Sequence, residues 1–223
     1  MNTGGVHPGT RIVHAGHGGA SGHESALGHG PGARAGNHSA PSDRDERGYR
    51  VQPGPGPRVR TDVVDLYVFR QQSGSASTRE GGDPEWGLLQ VHRAKPPLLD
   101  TWQPVMGHIE PGESAVQAVI REAGEEIGLD LGDAAQSQGL WALEQVHPFY
   151  IAAIDCVVMS PRFLAVVRPG WTPRLNPEHS HARWVAASSA WRHFMWPGQM
   201  AAVREALALL DSRGPEKQAL RVL

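Results

Sequence analysis

Residues 107–129 read GHIEPGESAVQAVIREAGEEIGL, and this stretch decides the fold. Ser114 and Gln117 have the spacing of a capping box, in which two side chains bond the free backbone amides of a helix start. A Pro-Gly pair just before them predicts a turn. Gly128 is expected to end the helix, because glycine adopts the left-handed backbone conformation without strain. The stretch therefore predicts a turn, one helix and a second turn.

The predicted helix has an apolar stripe and an acidic side. Five apolar residues recur at about 100° per residue and form the stripe: Val116, Val119, Ile120, Ala123 and Ile127. Glu122, Glu125 and Glu126 are spaced i, i+3, i+4 and are expected on the opposite side. Such a pattern is compatible with a solvated acidic face. The flanking residues Gly107, Glu113 and Arg121 favour a different interpretation. In it, a hard divalent cation binds the three carboxylates and relieves the repulsion between them.

The spacing of the fixed positions resembles the Nudix box, the loop-helix-loop signature of hydrolases that cleave nucleoside diphosphates linked to another group. The positions that carry the resemblance are Gly107, Glu113, Arg121-Glu122, Glu125-Glu126 and Gly128-Leu129. Ala123 departs from the pattern, because family members more often have a larger aliphatic residue there. The resemblance implies an α/β fold, the Nudix α/β/α sandwich, with a mixed sheet between helices.

The resemblance also implies a metal site on the acidic side of the helix. Its ligands would be the Gly107 backbone carbonyl and the carboxylates of Glu122, Glu125 and Glu126. Mg²⁺ prefers oxygen ligands and keeps several waters, and Mn²⁺ is the alternative ion. Glu122 and Glu126 are expected to be catalytic, with Glu122 also a candidate acceptor of the proton of the attacking water. Glu113 and Arg121 resemble the family pair that braces the loop against the helix.

Many members of the family use a base outside the box, and two glutamates are candidates here. Glu144 lies in a predicted strand, whereas Glu178 lies in the run NPEH at 176–179, shortly before RWV at 183–185. The two later segments resemble the late loop and strand of dihydroneopterin triphosphate pyrophosphatases and related dATP pyrophosphohydrolases. In that subfamily a glutamate at this place lies near the metals. We therefore favour Glu178, with an ordinary loop carboxylate as the alternative.

Two candidate substrate-binding residues, Arg93 and Trp102, lie before the box. The run WQPV at 102–105, immediately before the box, and the run FLAVVRP at 163–169, after it, resemble the same subfamily. Arg93 lies where related enzymes have a phosphate-binding arginine, and a guanidinium fork suits a triphosphate; a solvated surface arginine is the alternative. Trp102 is a candidate for stacking on a purine or pterin ring, with core packing as its alternative.

These resemblances imply a Mg²⁺-dependent pyrophosphohydrolase. It would cleave a nucleoside triphosphate such as dATP, or dihydroneopterin triphosphate, to the monophosphate and pyrophosphate. A diadenosine polyphosphate hydrolase is the second interpretation, which Gln145 disfavours because such enzymes tend to carry a tyrosine close to that position. The third is a Nudix module that binds a nucleotide without hydrolysing it, and the intact carboxylates argue against it.

Composition divides the chain into a tail and a domain. Residues 1–57 are dense in Gly, Ser, Pro, Arg and His and nearly free of large apolar residues, so we expect them to be disordered. Residues 58–223 are expected to form the hydrolase domain. A net charge of −2 over 223 residues gives no argument for nucleic-acid binding, and no apolar run has membrane-spanning length. We expect a cytoplasmic enzyme with a small-molecule phosphoanhydride substrate, and a homodimer is common in the family.

Hydrophobic patterning predicts the remaining elements. Strands are expected at 61–70, 86–92, 101–105, 141–145, 150–159, 163–167 and 182–185. Surface loops are expected at 71–84 and 130–138, and helices at 188–193 and 200–210. Cys156, the single cysteine, falls within an apolar run and is expected to be a packed thiol.

Overall fold

The computed structural model describes residues 56–72, 85–194 and 196–223. Almost all of the tail expected at 1–57, and of the loop expected at 71–84, lies outside these residues. The described residues form ten strands: β1 Arg58–Arg60, β2 Val63–Gln71, β3 Trp86–Arg93, β4 Trp102–Gln103, β5 Val105–His108, β6 Ser137–Ala142, β7 Phe149–Ile151, β8 Cys156–Val158, β9 Arg162–Val167 and β10 His179–Ala186. They also form the helices α1 Ala115–Ile127, α2 Pro197–Asp211 and α3 Glu216–Ala219, and the short 3₁₀ helices Ala152–Ile154 and Ala187–Arg192.

The larger of the two sheets is mixed. Its strand order is β10-β3-β2-β9-β6, with β4 paired to β3 and β5 paired to β2. β2 runs antiparallel to β3, with Phe69 opposite Leu88. It runs parallel to β9, with Leu66 opposite Phe163. Parallel neighbours need a long crossover connection, and the segment between β2 and β9 supplies it with α1 included.

A helix packs on each face of this sheet, because alternate residues of a strand point to opposite faces. Leu66 and Val68 of β2 belong to the core under α1, whereas Tyr67 and Phe69 belong to the core under α2. α1 contributes Ala118, Val119, Ala123 and Ile127 to its core, and α2 contributes Ala202, Val203, Ala206, Leu209 and Leu210 to the other. The predicted α/β/α sandwich with a mixed sheet is therefore confirmed.

The single strand predicted at 150–159 is wrong. β7 and β8 pair with each other in antiparallel fashion, and β1 pairs with β8 to complete a second sheet. The 3₁₀ helix Ala152–Ile154 lies between β7 and β8 in the chain. Asp155 follows that helix in the left-handed conformation, with φ of 46°. Its carboxylate accepts a 2.7 Å hydrogen bond from the Tyr150 hydroxyl. Asparagine and aspartate tolerate this conformation. Because the chain reverses direction here within an apolar run, the hydrophobic pattern shows no break between β7 and β8.

The boundaries predicted for three other strands also differ from the structure. β10 begins at His179, three residues before the 182–185 expected. β6 begins at Ser137 and ends at Ala142, earlier than the 141–145 expected, because Ser137–Ala142 is the segment that pairs with β9. The extended piece predicted at 101–105 divides into β4 and β5 on either side of Pro104. Proline has no N–H to donate to a neighbouring strand, so it interrupts the ladder.

The described part of the chain contains a buried cysteine and no membrane-spanning helix. Cys156 is fully buried and free, as expected of a packed thiol. None of the helices within the described ranges is long and apolar enough to cross a bilayer.

A buried ion pair links the centre of the sheet to α2. Asp65 of β2 lies opposite Arg162 of β9, their side chains are 3% and 2% exposed, and Arg162 Nε is 3.3 Å from Asp65 Oδ2. Arg162 also donates to the carbonyl of Gly198 in α2 at 2.9 Å. Burial raises the pKa of Asp65 from 3.8 to about 6, against the opposing effect of Arg162. The folded state therefore binds the proton of the Asp65 carboxyl group more tightly than the unfolded state does. The contribution of Asp65 to stability accordingly falls as the pH rises from 3.8 to about 6.

Replacing one partner of this pair is expected to destabilise the fold strongly. Asp65→Asn leaves Arg162 charged and buried without its counter-ion, which lowers the free energy of unfolding by about 3–5 kcal/mol. Arg162→Met is expected to cause a loss of the same order. The double variant is expected to lose much less than the sum of the two. Urea denaturation at pH 7 measures all three, and strictly additive losses would show that the two side chains are not coupled.

Candidate active site

A cleft opens between α1 and the ends of β3 and β5, with a volume of about 460 Å³. Its lining contains most of the residues predicted from the sequence: Arg93, Gly107, Glu122, Glu125, Glu126 and Glu178. Further polar groups come from Gln103, His108 and Asn176, and Val63, Pro97, Leu98 and Met106 form an apolar wall. The cleft therefore combines an acidic wall with a basic residue and an apolar patch.

The caps of α1 set the register of its carboxylates. The Ser114 hydroxyl accepts a hydrogen bond from the Gln117 backbone N–H at 3.2 Å, and the Gln117 side chain accepts one from the Ser114 N–H at 2.8 Å. The helix ends at Gly128, whose φ of 66° is in the left-handed region. Both predicted caps are confirmed, so the start and end of α1 are encoded in its own sequence.

Glu122 lies directly over Gly107, and its side chain is 12% exposed. A methyl group on the Gly107 Cα would overlap the Glu122 carboxyl group, so a side chain at position 107 would force Glu122 into another rotamer. Burial raises the pKa of Glu122, the hydrogen bond from Arg121 opposes that rise, and the negative charge of Glu126 adds to it. The carboxylates are thus close enough to repel one another.

Arg121 connects the loop before α1 to the helix. Its guanidinium group donates to both carboxylate oxygens of Glu113, at 2.8 and 2.9 Å, and to the His108 carbonyl at 2.8 Å. It also donates to Glu122 at 2.9 Å. The hydrogen bonds from Arg121 lower the pKa of Glu113 to about 2. Glu113 is therefore ionised at neutral pH and holds the loop through two charge-assisted hydrogen bonds.

Glu126 is the most buried of the three α1 glutamates. Its side chain is 3% exposed, compared with 12% for Glu122 and 57% for Glu125. The expectation that all three lie opposite the apolar stripe is wrong for Glu126. Glu126 comes about two turns after Val119 and so points in nearly the same direction. Its neighbour there is His179, whose Nε2 lies 3.0 Å from Glu126 Oε2 and to which the sequence had assigned no role.

Arg93 and Glu178, which also line the cleft, form an ion pair. Arg93 Nη1 donates to Glu178 Oε2 at 2.7 Å. The backbone around Glu178 is held in place: its carbonyl accepts from the Ala94 N–H at 2.8 Å, and its own N–H donates to the Asn176 side chain at 2.9 Å. Two residues that were predicted separately, one for phosphate binding and one as a base, are thus brought together.

Glu144, the other candidate base, does not line the cleft. The backbone N–H groups of Glu144 and Gln145 donate to Glu205 Oε1 in α2, at 2.6 and 3.1 Å. After β6 the chain therefore turns toward α2. Because α1 and the cleft lie on the other face of the sheet, Glu178 is the better placed of the two glutamates.

Trp102 lies on the opposite face of the sheet from the cleft. It pairs with His92, whereas Gln103 pairs with Val91 of the core under α1. Alternation along β4 therefore sends Trp102 and Gln103 to opposite faces, and Gln103 lines the cleft. The Trp102 ring lies 4.8 Å from the His92 ring and 3.9 Å from the Arg183 guanidinium carbon. This geometry gives no support to the predicted stacking of Trp102 on a substrate ring.

The donor set of the cleft fits a hard divalent cation. Glu122, Glu125, Glu126 and Gly107 line the same cavity and offer oxygen atoms alone. Across the described ranges, no group of three or more His, Cys, Asp or Glu side chains is placed to hold a metal ion by itself. An ion here would complete its coordination with water and substrate phosphate, as Mg²⁺ does.

A comparison of the sequence with family models identifies one family. A family model described as "NUDIX domain" matches residues 52–206. An RNA pyrophosphohydrolase of Legionella pneumophila is 37% identical over 71 residues, which cover 32% of this chain and 37% of the relative. An asymmetrical bis(5'-nucleosyl)-tetraphosphatase of Sus scrofa is 26% identical over 136 residues, or 57% of this chain and 82% of the relative. The chain thus spans well under half the length of the Legionella relative.

A solved structure shares the fold. The binary complex of the Caenorhabditis elegans Ap4A hydrolase superposes with a TM-score of 0.53 and 21% identity, covering 67% of this chain and 97% of the other. At that identity the similarity concerns the fold alone. It agrees with the α/β/α sandwich described above.

Proposed function

The chain belongs to the Nudix family, and on that premise we propose that it is a Mg²⁺-dependent pyrophosphohydrolase with the cleft beside α1 as its active site. Its substrate is a nucleoside triphosphate or dihydroneopterin triphosphate, which it converts to the monophosphate and pyrophosphate. Mn²⁺ is the alternative ion. The tail at 1–57 is not needed for this proposal, since every proposed site residue lies in the domain at 58–223.

The arrangement of charge in the cleft carries the proposal. Glu122, Glu125 and Glu126 line one wall together with Gly107, and Arg93 lines the same cavity. A polyphosphate needs positive charge beside its oxygens, which Arg93 would supply directly and a metal held by the carboxylates would supply in addition. An acidic wall without such an ion would repel the substrate.

The chemistry is assigned to residues as follows. Glu122, Glu125, Glu126 and the Gly107 carbonyl would hold Mg²⁺, which when bound neutralises phosphate charge and lowers the pKa of water. In the reaction, the water oxygen bonds to a phosphorus of the anhydride. The bond from that phosphorus to the bridging oxygen breaks, and the bridging oxygen keeps the electron pair. A proton of the water passes to a carboxylate, with Glu178 favoured and Glu122 as the alternative.

The sequence around the cleft favours a triphosphate with one ring system, and the size of the cleft is compatible with one. A cavity of about 460 Å³ lies within the range of about 300–1,000 Å³ typical of small-molecule sites. Two of its lining residues, Gln103 and Glu178, belong to the segments that resemble dihydroneopterin triphosphate and dATP pyrophosphohydrolases. Recognition of the ring itself is not assigned, because Trp102 faces away.

A second candidate function is hydrolysis of a dinucleoside polyphosphate. The Sus scrofa relative that is matched over most of its length carries a name of that kind. A dinucleotide has a second nucleoside, which would have to lie outside the cavity on the surface around it. The phosphate chemistry would be the same, and only the products would differ.

Replacing Arg93 is expected to weaken substrate use without abolishing the reaction. Arg93→Ala removes charge-assisted hydrogen bonds to phosphate worth about 1.5–3 kcal/mol, which corresponds to about a 10- to 100-fold lower kcat/KM. Steady-state kinetics on the best substrate measures this. Arg168→Ala is the matched control, because Arg168 lies outside the cleft and donates to the Ala134 carbonyl. Equal kinetics for the two variants would remove Arg93 from the site.

The substrate class is tested by a product-resolved assay with Mg²⁺. The panel contains dihydroneopterin triphosphate, the eight common nucleoside triphosphates, diadenosine tetraphosphate and ADP-ribose. Pyrophosphate release from a triphosphate supports the proposed function and names the substrate. Cleavage of diadenosine tetraphosphate alone, with ATP as a product, would replace it with the second candidate.

A further inference from the structure

We propose that His179 is a positioning residue for the metal site: it holds the buried oxygen of Glu126 so that the other oxygen faces the cleft. The inference rests on the proposed function, because it takes Glu126 to be a metal ligand. It adds a residue outside the α1 segment to the site and connects the late loop at 174–179 with the metal.

The two side chains depend on each other for polar contact. His179 has a fully buried side chain, and that of Glu126 is 3% exposed. His179 Nε2 lies 3.0 Å from Glu126 Oε2, and within the described residues neither atom has a hydrogen-bond partner of ordinary geometry. In the proposed arrangement Nε2 carries a proton and donates a hydrogen bond to the Glu126 carboxylate. Leaving such a buried group unpaired costs about 1–3 kcal/mol, and more when it is charged.

A β-bulge aims His179 at this position. On β3, Arg93 lies opposite His179 and His92 lies opposite His181, so Ser180 is an additional residue on β10. Without it, His179 and His181 would point to the same face of the sheet. His181 faces the His92 ring at 5.9 Å, on the side away from the cleft, whereas His179 points toward α1. The extra residue therefore turns the imidazole toward Glu126.

The backbone of the late loop fastens the same end of α1. Asn176 N–H donates to the Glu126 carbonyl at 3.1 Å, and Arg174 N–H donates to the Ile127 carbonyl at 2.8 Å. These bonds satisfy carbonyls that a helix end leaves free. The loop and the end of α1 are thus joined by hydrogen bonds around the Glu126 side chain, and His179 is a side chain from the adjoining bulge that contacts the carboxylate.

The consequence is a preset orientation of one metal ligand. With Oε2 held by His179, Glu126 presents its remaining oxygen to the cavity that it lines. Groups that orient a ligand from behind typically change metal affinity by about 10- to 100-fold when they are removed. The N–H that faces Glu126, and not the volume of the ring alone, is expected to carry this effect.

The test measures Mn²⁺ binding to the full chain without substrate, by electron paramagnetic resonance, together with the thermal midpoint of each variant. His179→Leu and His179→Met fill the space but have no N–H, whereas His179→Gln keeps an N–H close to the position of Nε2. We expect Kd for Mn²⁺ to rise about 10- to 100-fold in the Leu and Met variants. In the Gln variant it is expected to stay within about threefold of the wild-type value, well below that range.

Two further comparisons make the result decisive. If Kd tracks the thermal midpoint across all three variants and not the presence of the N–H, His179 is only a packing residue and the inference is overturned. Unchanged Kd in any folded variant without an N–H overturns it as well. Glu126→Gln separates this failure from that of the proposed function: a variant that binds Mn²⁺ like the wild type would remove Glu126 from the metal site itself.

Discussion

Glutamine in place of Glu122 or Glu126 is expected to reduce turnover by at least about 100-fold while the protein stays folded. Each change removes a charged oxygen ligand from the cleft. Stabilisation of phosphate charge by a metal is worth several kcal/mol, and each loss of about 1.36 kcal/mol lowers the rate tenfold. Stability is expected to change little at Glu122, because burial and like charge already raise the pKa of this carboxyl group in the fold. Kinetics at saturating Mg²⁺, with thermal unfolding alongside, measures both quantities.

Glu110→Gln is the control for these two variants. Glu110 also lies in the 107–129 segment and is an exposed glutamate, but it does not line the cleft. It is expected to retain wild-type kinetics. Near-normal turnover in either Glu122→Gln or Glu126→Gln would mean that the α1 carboxylates do not form the catalytic metal site.

Gly107→Ala is expected to cost about as much activity as the loss of a carboxylate, although it removes no functional side chain. The new methyl group would occupy the position of the Glu122 carboxyl group, so this carboxyl group has to move from its present position or β5 has to move away from α1. Either change separates the Gly107 carbonyl from the carboxylates, and a displacement of about 1 Å at a reacting centre is enough for a 100-fold loss. The same kinetic assay measures it.

Gly124→Ala is the matched control for this change. Gly124 lies on the exposed side of α1, and a methyl group there meets no atom within 4 Å. Alanine is a better helix former than glycine, so this variant is expected to gain up to about 1 kcal/mol in stability. Its activity is expected to match the wild type. The steric argument would fail if both alanine variants had equal activity.

The sequence predicted the parts of this molecule whose signals are local. The Ser114–Gln117 capping box and the Gly128 terminus determine α1 from residues within one segment, and the apolar stripe of α1 packs against the sheet as its spacing requires. Strand-forming runs such as Val63–Gln71 and Arg162–Val167 were also recognised within one or two residues. Their side chains alternate between two cores, which is the reason that both appear as continuous apolar runs.

Other features depend on contacts between distant segments, and the sequence pattern could not predict them. The contact between His179 and Glu126 depends on a bulge that follows from strand register. The orientation of Trp102 depends on the pairing of β4 with β3, which sends neighbouring residues to opposite faces. The burial of Glu126, by contrast, follows from helix periodicity alone, because Glu126 lies seven residues after Val119 and points in nearly the same direction.

The most direct test of the account is the Mg²⁺ dependence of product release by the purified wild-type chain, measured on the substrate panel before and after removal of divalent cations. We expect turnover of at least one phosphoanhydride substrate with Mg²⁺, none after treatment with a chelator, and full recovery when Mg²⁺ is restored. Turnover that continues without a divalent cation would contradict the assignment of the α1 carboxylates. Tight binding of a nucleotide with no product under any metal would show that this cleft is a sensor and not an active site.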